Sequence, residues 1–229
     1  VMRKRILISV MVFLFAFVSG VGVASATDDA QFKLGVEAGA EISNPSSELT
    51  GSTGVGFKVG VVGEYDFTSA SRGWYVGTGV GLVSKPWKTK KYEIYGDDGK
   101  ADGMYKVNST PYYLRIPVVG GYRFALSSNV SLGIQTGIYM STGLFGKNKD
   151  TLYITWANGE PGELKSKANC FDSFYDRLDW GWTVGANLRC GEKWQVNVGY
   201  DYQFNSLLGS SMYKVHNRTI EVGLTYYFR

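Results

Sequence analysis

His216 is the only imidazole in this 229-residue chain. Asp201, Ser210 and Ser211 lie near it in sequence, and together they offer the parts of a proton relay. In such a relay an imidazole, oriented by a carboxylate, activates a hydroxyl for attack on an ester. Polar residues of these types are also ordinary loop composition, so no catalytic residue is assigned and the chain is read as not an enzyme. Asp97, Asp98 and Asp102, with Gly99 and Gly103 among them, suggest a calcium loop. The required spacing fails at Lys100 and no glutamate closes the loop, so a solvated turn accounts for it. Gly77, Gly79 and Gly81 recur at every second residue within an apolar run, which is strand spacing and not that of a phosphate-binding loop. No cofactor, metal or nucleic-acid site is expected.

The remaining charges are informative by where they recur. Lys33, Glu37, Lys58, Glu64, Arg115, Arg189, Asp201 and Glu221 sit at alternate positions within runs whose other positions are uncharged. Eight runs carry this period of two. Their uncharged faces are Phe32 to Ala38; Phe57 to Phe67; Trp74 to Leu82; Tyr112 to Phe124; Val130 to Met140; Trp180 to Leu188; Trp194 to Phe204; and Ile220 to Phe228. A soluble sandwich would hide its large apolar side chains and expose its charges. Here the aromatic face is continuous and uncharged, while the other face is charge and glycine. That inversion fits a wall with hydrocarbon outside and a polar lumen within, since a charge at mid-bilayer costs about 2–4 kcal/mol. Lys33, Glu37, Lys58, Arg115 and Glu221 are therefore expected to point inward as a structural polar network. Pro117 shares their face and is expected to mark a bulge.

The joints between the runs alternate. Residues 68–72, 125–129 and 191–193 are short, whereas 41–54, 84–110, 143–179 and 206–217 are long. A membrane barrel with periplasmic termini has tight turns inside and long loops outside. The predicted fold is thus all-β: an eight-stranded antiparallel up-and-down transmembrane β-barrel, without a free edge. Cys170 in a long loop and Cys190 at a short turn would lie a membrane apart, so no disulfide is expected between them.

The N-terminus reads as an address. Arg3, Lys4 and Arg5 precede an apolar stretch, 6–18, and small residues at 24–26, the pattern of a cleavable signal peptide. This divides the chain into a signal peptide, 1–26, and a barrel domain, 27–229. Removing three cations and no anions takes the formal charge from +4 to +1 (4 − 3), which removes the argument for nucleic acid. Glycine, 30 of 229 residues, is nearly double the usual ~7%, as barrels with crowded lumens require.

Residues 219–229, alternating and ending Tyr226-Tyr227-Phe228-Arg229, resemble the C-terminal strand by which outer-membrane barrels are recognised for assembly; Arg229 departs from the usual terminal aromatic. The stretch PYYLRIPVVGGYRF, with Pro111, Tyr113, Leu114, Ile116, Pro117, Tyr122, Arg123 and Phe124, resembles a strand of the PorT-like outer-membrane β-barrel domain family of Bacteroidetes. Residues 179–186 and 199–202 resemble two further strands of that family, with Gln203 and Phe204 departing from its pattern. The resemblance implies a barrel in the outer membrane and carries no catalytic residues over. The expected role is structural or surface contact, with the outer-membrane bilayer as partner and extracellular or envelope proteins meeting the long loops around Trp87, Tyr92, Tyr95, Tyr153 and Trp156. A monomer is expected. The alternatives are a narrow pore, a secretion-apparatus component and a small lipid-modifying barrel.

Overall fold

The computed structural model describes residues 31–46, 50–68, 72–95, 101–155, 160–171, 177–205 and 216–228. The expected signal peptide, residues 97–100 of the expected turn 97–103, Trp156, Ser210, Ser211 and Arg229 lie outside the described residues; residues 101–103 of that turn are strand. Twelve strands run in chain order: β1 (Gln31–Ser46), β2 (Thr50–Ser52), β3 (Gly54–Asp66), β4 (Gly73–Ser84), β5 (Trp87–Thr89), β6 (Tyr92–Tyr95), β7 (Ala101–Ala125), β8 (Val130–Thr155), β9 (Pro161–Asn169), β10 (Leu178–Cys190), β11 (Trp194–Gln203) and β12 (His216–Tyr227). Eight of them close a ring in the order β1, β3, β4, β7, β8, β10, β11, β12, with every pairing antiparallel. The seam is the ladder between β1 and β12, from Gly35↔Tyr227 to Ser46↔His216. The eight runs read from period two are these eight strands.

The ring has a reversed interior. Val59, Val198 and Met140 are 48%, 51% and 63% exposed on its outside, whereas Arg123, Arg189 and Arg115 are 0%, 1% and 3% exposed within. In water such an outer surface would be an aggregation liability; against lipid it is solvated. Rings gather near both ends of this belt. Trp74, Tyr122 and Phe124 pack edge to face near the short turns, as do Trp194, Tyr226 and Phe228. Phe57, Tyr112 and Phe145 form a chain of contacts at the opposite end, where Trp180 also meets Phe204. An amphipathic or large aromatic ring is most stable at the two membrane–water interfaces.

Two expectations are corrected. Among the described residues, 41–54, 84–110 and 143–179 are largely strand and not loop. β7 and β8 have 25 and 26 residues and pair from Ala125↔Ser131 to Gly103↔Ile154. Since about 9–11 residues cross a bilayer, more than half of each lies beyond it. There β5 and β6 add to β7, and β9 adds to β8, making a sheet that stands on the barrel rim. The bulge is also elsewhere. Tyr112 pairs Phe145 but Tyr113 pairs Gly143, so the inserted residue is Leu144. Around Pro117 the register to β4 is the same on both sides, Thr78↔Val118 and Gly81↔Arg115. Proline's missing N–H interrupts the ladder without adding a residue; Thr78 Oγ1 instead donates to the Pro117 carbonyl at 2.8 Å.

Candidate functional site

Because successive side chains on a strand alternate faces, the eight strands project their charges into one lumen. They settle into two layers. Near the short turns, Arg123 donates to Glu64 at 2.9 Å and to Asp66 at 2.5 Å. Arg189 reaches the same two carboxylates, at 2.7 Å and 3.5 Å, and Lys33 lies 3.4 Å from Asp66. Each guanidinium also covers a ring, Arg123 over Tyr75 at 4.3 Å and Arg189 over Tyr227 at 4.5 Å. Tyr227 Oη donates to Glu64, and Tyr75 Oη donates to Gln135 while accepting from Asn187. Arg189, Gln195, Asn197 and Thr225 continue as a chain of hydrogen bonds. This layer thus takes residues from all eight strands of the ring.

The second layer lies toward the long connections. Lys58 Nζ stands 3.1 Å from both Glu37 and Glu221. Arg115 donates to Glu221 and to Asp201, each at 2.8 Å, and lies 3.7 Å from Glu41. Lys85 caps it, 2.8 Å from Asp179, which also accepts from Tyr139 Oη at 3.1 Å. Arg115 and Lys85 both face the Tyr139 ring, at 4.8 Å and 4.7 Å. Four of the five residues named from the sequence, Glu37, Lys58, Arg115 and Glu221, meet in this layer. Lys33 does not; it belongs to the other. Glu41, Asp66, Lys85, Arg123 and Asp179 were not assigned to the lumen. Parity was the available signal for Asp66 and Arg123, which keep step with Glu64 and Arg115 along β3 and β7.

Between the layers is a cavity of about 80 Å³, roofed by Lys58, Arg115 and Glu221 and floored by Glu64, Tyr75 and Tyr227. At about 10–15 Å³ of such space per water molecule, it has room for roughly five to eight waters. Glycines admit the long side chains around it. A Cβ at Gly121 would lie 2.5 Å from the Tyr75 ring, and one at Gly199 would lie 2.6 Å from the Glu221 carboxylate.

His216 is not part of this chemistry. It stacks on Tyr202 at 5.9 Å, on the outward face of the wall, and its Nδ1 meets the Gln203 carbonyl at 3.2 Å. Asp201, bonded to Arg115, faces the lumen, so the wall separates the imidazole from this carboxylate. Neither cysteine is in a disulfide. Cys170 lies by Ser109 and Asn148 at the base of the outer sheet, and Cys190 is exposed at the short-turn end of β10.

Residues 24–209 match the model of the outer membrane protein beta-barrel domain family. Among solved structures the chain is similar to the attachment invasion locus protein Ail of Yersinia pestis (16% identity over 86% of this chain and 99% of that one, TM-score 0.40). It is similar also to Neisserial surface protein A (13%, 88% and 100%, TM-score 0.39). A third is a major outer membrane protein from Thermus thermophilus (17%, 86% and 99%, TM-score 0.45). No curated protein matches the chain. The chain belongs to the outer membrane protein beta-barrel domain family, and its place is the outer membrane.

Proposed function

We propose that this outer-membrane barrel is a sealed pedestal, and that its work is contact made by the sheet it raises above the membrane. The observation that carries this reading is the double plug. Two layers of paired charge cross the lumen, with a cavity of only about 80 Å³ between them. An eight-stranded barrel has room only for side chains, and these residues fill it. Every lumen cation lies within 4 Å of a carboxylate, as buried cations require. No sustained water column is left for ion flow.

What rises outside is built for exposure. β5 to β9 project beyond the bilayer, and binding residues concentrate on such segments when a rigid scaffold holds them. The separation of His216 from Asp201 by the wall supports contact over catalysis. The likeness of residues 111–124 to a PorT-like strand supports a place in the Bacteroidetes branch of such barrels. Planar-bilayer recording tests the plug. Purified protein is expected to give no unitary conductance steps. Steady steps whose size changes on Arg115→Ala would contradict it and make the lumen a pore.

A further inference from the structure

The outer sheet is basic on one face, and its register identifies that face. Lys88 pairs Asn108, Asn108 pairs Lys149, and Lys149 pairs Lys167, so a single row crosses β5, β7, β8 and β9. Directly paired residues share a face, as do residues two apart on one strand. The rows on either side are Lys106–Thr151–Lys165 and Thr110–Lys147–Asn169. Two residues past Thr110 comes Tyr112, paired with Phe145; these two rings stack at 4.7 Å in the outer aromatic girdle. The lysine face is therefore the upward continuation of the lipid-facing wall. It does not continue the lumen.

Its height follows from strand geometry. Lys147 stands two residues, about 7 Å of strand, past Phe145, and Lys149 about 13 Å. The headgroup zone is roughly 5–8 Å deep on each side of the hydrocarbon. With tilted strands, these ammonium groups stand at headgroup level and just above it. The acids on this face do little to offset them. Glu163 is bound by Lys165 at 2.7 Å, and that hydrogen bond holds its carboxyl below the usual range; Glu93 is at the far end, beside Met104.

Edge lysines commonly prevent sheets from joining edge to edge, and Lys167 on β9 could serve that end. Lys106 and Lys149 are on β7 and β8, strands paired on both sides, where there is no edge to protect. Lys149 directly opposite Lys167 is also a destabilising pair in isolation. A bound anion removes that repulsion.

We infer that the face carrying Lys147, Lys149 and Lys167 binds the phosphate-bearing headgroups of the outer-leaflet glycolipid, holding the sheet against the membrane surface. Each lysine at an anionic surface strengthens attachment by about fivefold at moderate salt. The occupant is a lipid and not a soluble polyanion because the lysines lie in line with the acyl-contacting rings. A glycolipid whose tails lie on Tyr112 and Phe145 would bring its phosphates to them.

The test uses the whole protein in nanodiscs carrying diphosphorylated lipid A, or the same lipid with its phosphates removed. The readout is the temperature at which the compact, unboiled band converts to the extended one. The phosphorylated lipid is expected to raise that temperature, and Lys147→Glu/Lys149→Glu/Lys167→Glu to abolish the increase. These side chains are exposed, and a compact band before heating shows that the variant has folded. Equal temperatures in the two lipids, or an increase that survives the triple change, would overturn the inference. A second arm offers inorganic phosphate and a polysulfated oligosaccharide to protein in nanodiscs of uncharged lipid. Only weak, salt-sensitive binding is expected. Tight binding with the same lysine dependence would mean that the face takes a soluble polyanion, and would also overturn it. Neither arm depends on whether the lumen conducts.

Discussion

At the scale of single residues, Arg115 does the most to hold the second layer together. It joins β7 to β11 and β12 through Asp201 and Glu221 while covering the ring of Tyr139. Deleting one member of a buried, hydrogen-bonded pair leaves the other charge uncompensated, at a cost of about 3–5 kcal/mol. Arg115→Met is therefore expected to lower the folding free energy measured by urea unfolding in lipid vesicles by an amount in that range. Adding Asp201→Asn should recover part of the loss, because the two residues act as one unit and their effects do not add. Strict additivity would show that they are not coupled. The sequence made the inward direction of Arg115 legible through its uncharged neighbours Leu114 and Ile116. It did not reveal which acid meets which base. Partners such as Lys33 and Asp66 lie on neighbouring strands, and their approach depends on side-chain length across a closed lumen. Glu41, Lys85 and Asp179 escaped notice because each sits where a strand was expected to have ended.

At the scale of elements, alternation identified the eight strands because the bilayer enforces it: one face must be apolar over the whole crossing. Above the bilayer that constraint lapses. Beyond Tyr112 the outward positions of β7 become Thr110, Asn108 and Lys106, and the pattern no longer looks like a membrane strand. On β8 the inserted Leu144 shifts the parity as well. Gly143 faces inward before it and Gly146, paired with Pro111, follows the same face after it. A reading by period two stops there, although the ladder continues. This division between wetted and lipid-bathed strand can be tested by one kind of substitution. Val198→Arg, mid-strand on the lipid face of β11, should cost about 2–4 kcal/mol of folding stability in vesicles. Met104→Arg, equally open but in the outer sheet, should stay within about 0.5 kcal/mol. A large penalty at Met104 would place the outer half of β7 in hydrocarbon and contradict the architecture.

At the scale of the molecule, the barrel resolves a conflict that no open sheet could. A strand bearing aromatics on one side and arginines on the other needs two solvents, and a closed cylinder in lipid provides both. Closure also satisfies every ladder edge within the bilayer, where an unpaired backbone group would cost several kcal/mol. The charged and uncharged polar side chains inside link all eight strands to one another across the lumen.

Everything rests on the seam between β1 and β12, and a cross-link there tests it most directly. Ala38 and Leu224 are paired across it on the outward face, and adjacent strands place Cα atoms within the range a disulfide spans. Ala38→Cys/Leu224→Cys, in a chain with Cys170 and Cys190 changed to serine, should oxidise within the folded protein. It should then run as a looped species, faster than its reduced form, even after boiling. If oxidation gives only links between chains, or none, β1 and β12 do not meet and the cylinder is not closed.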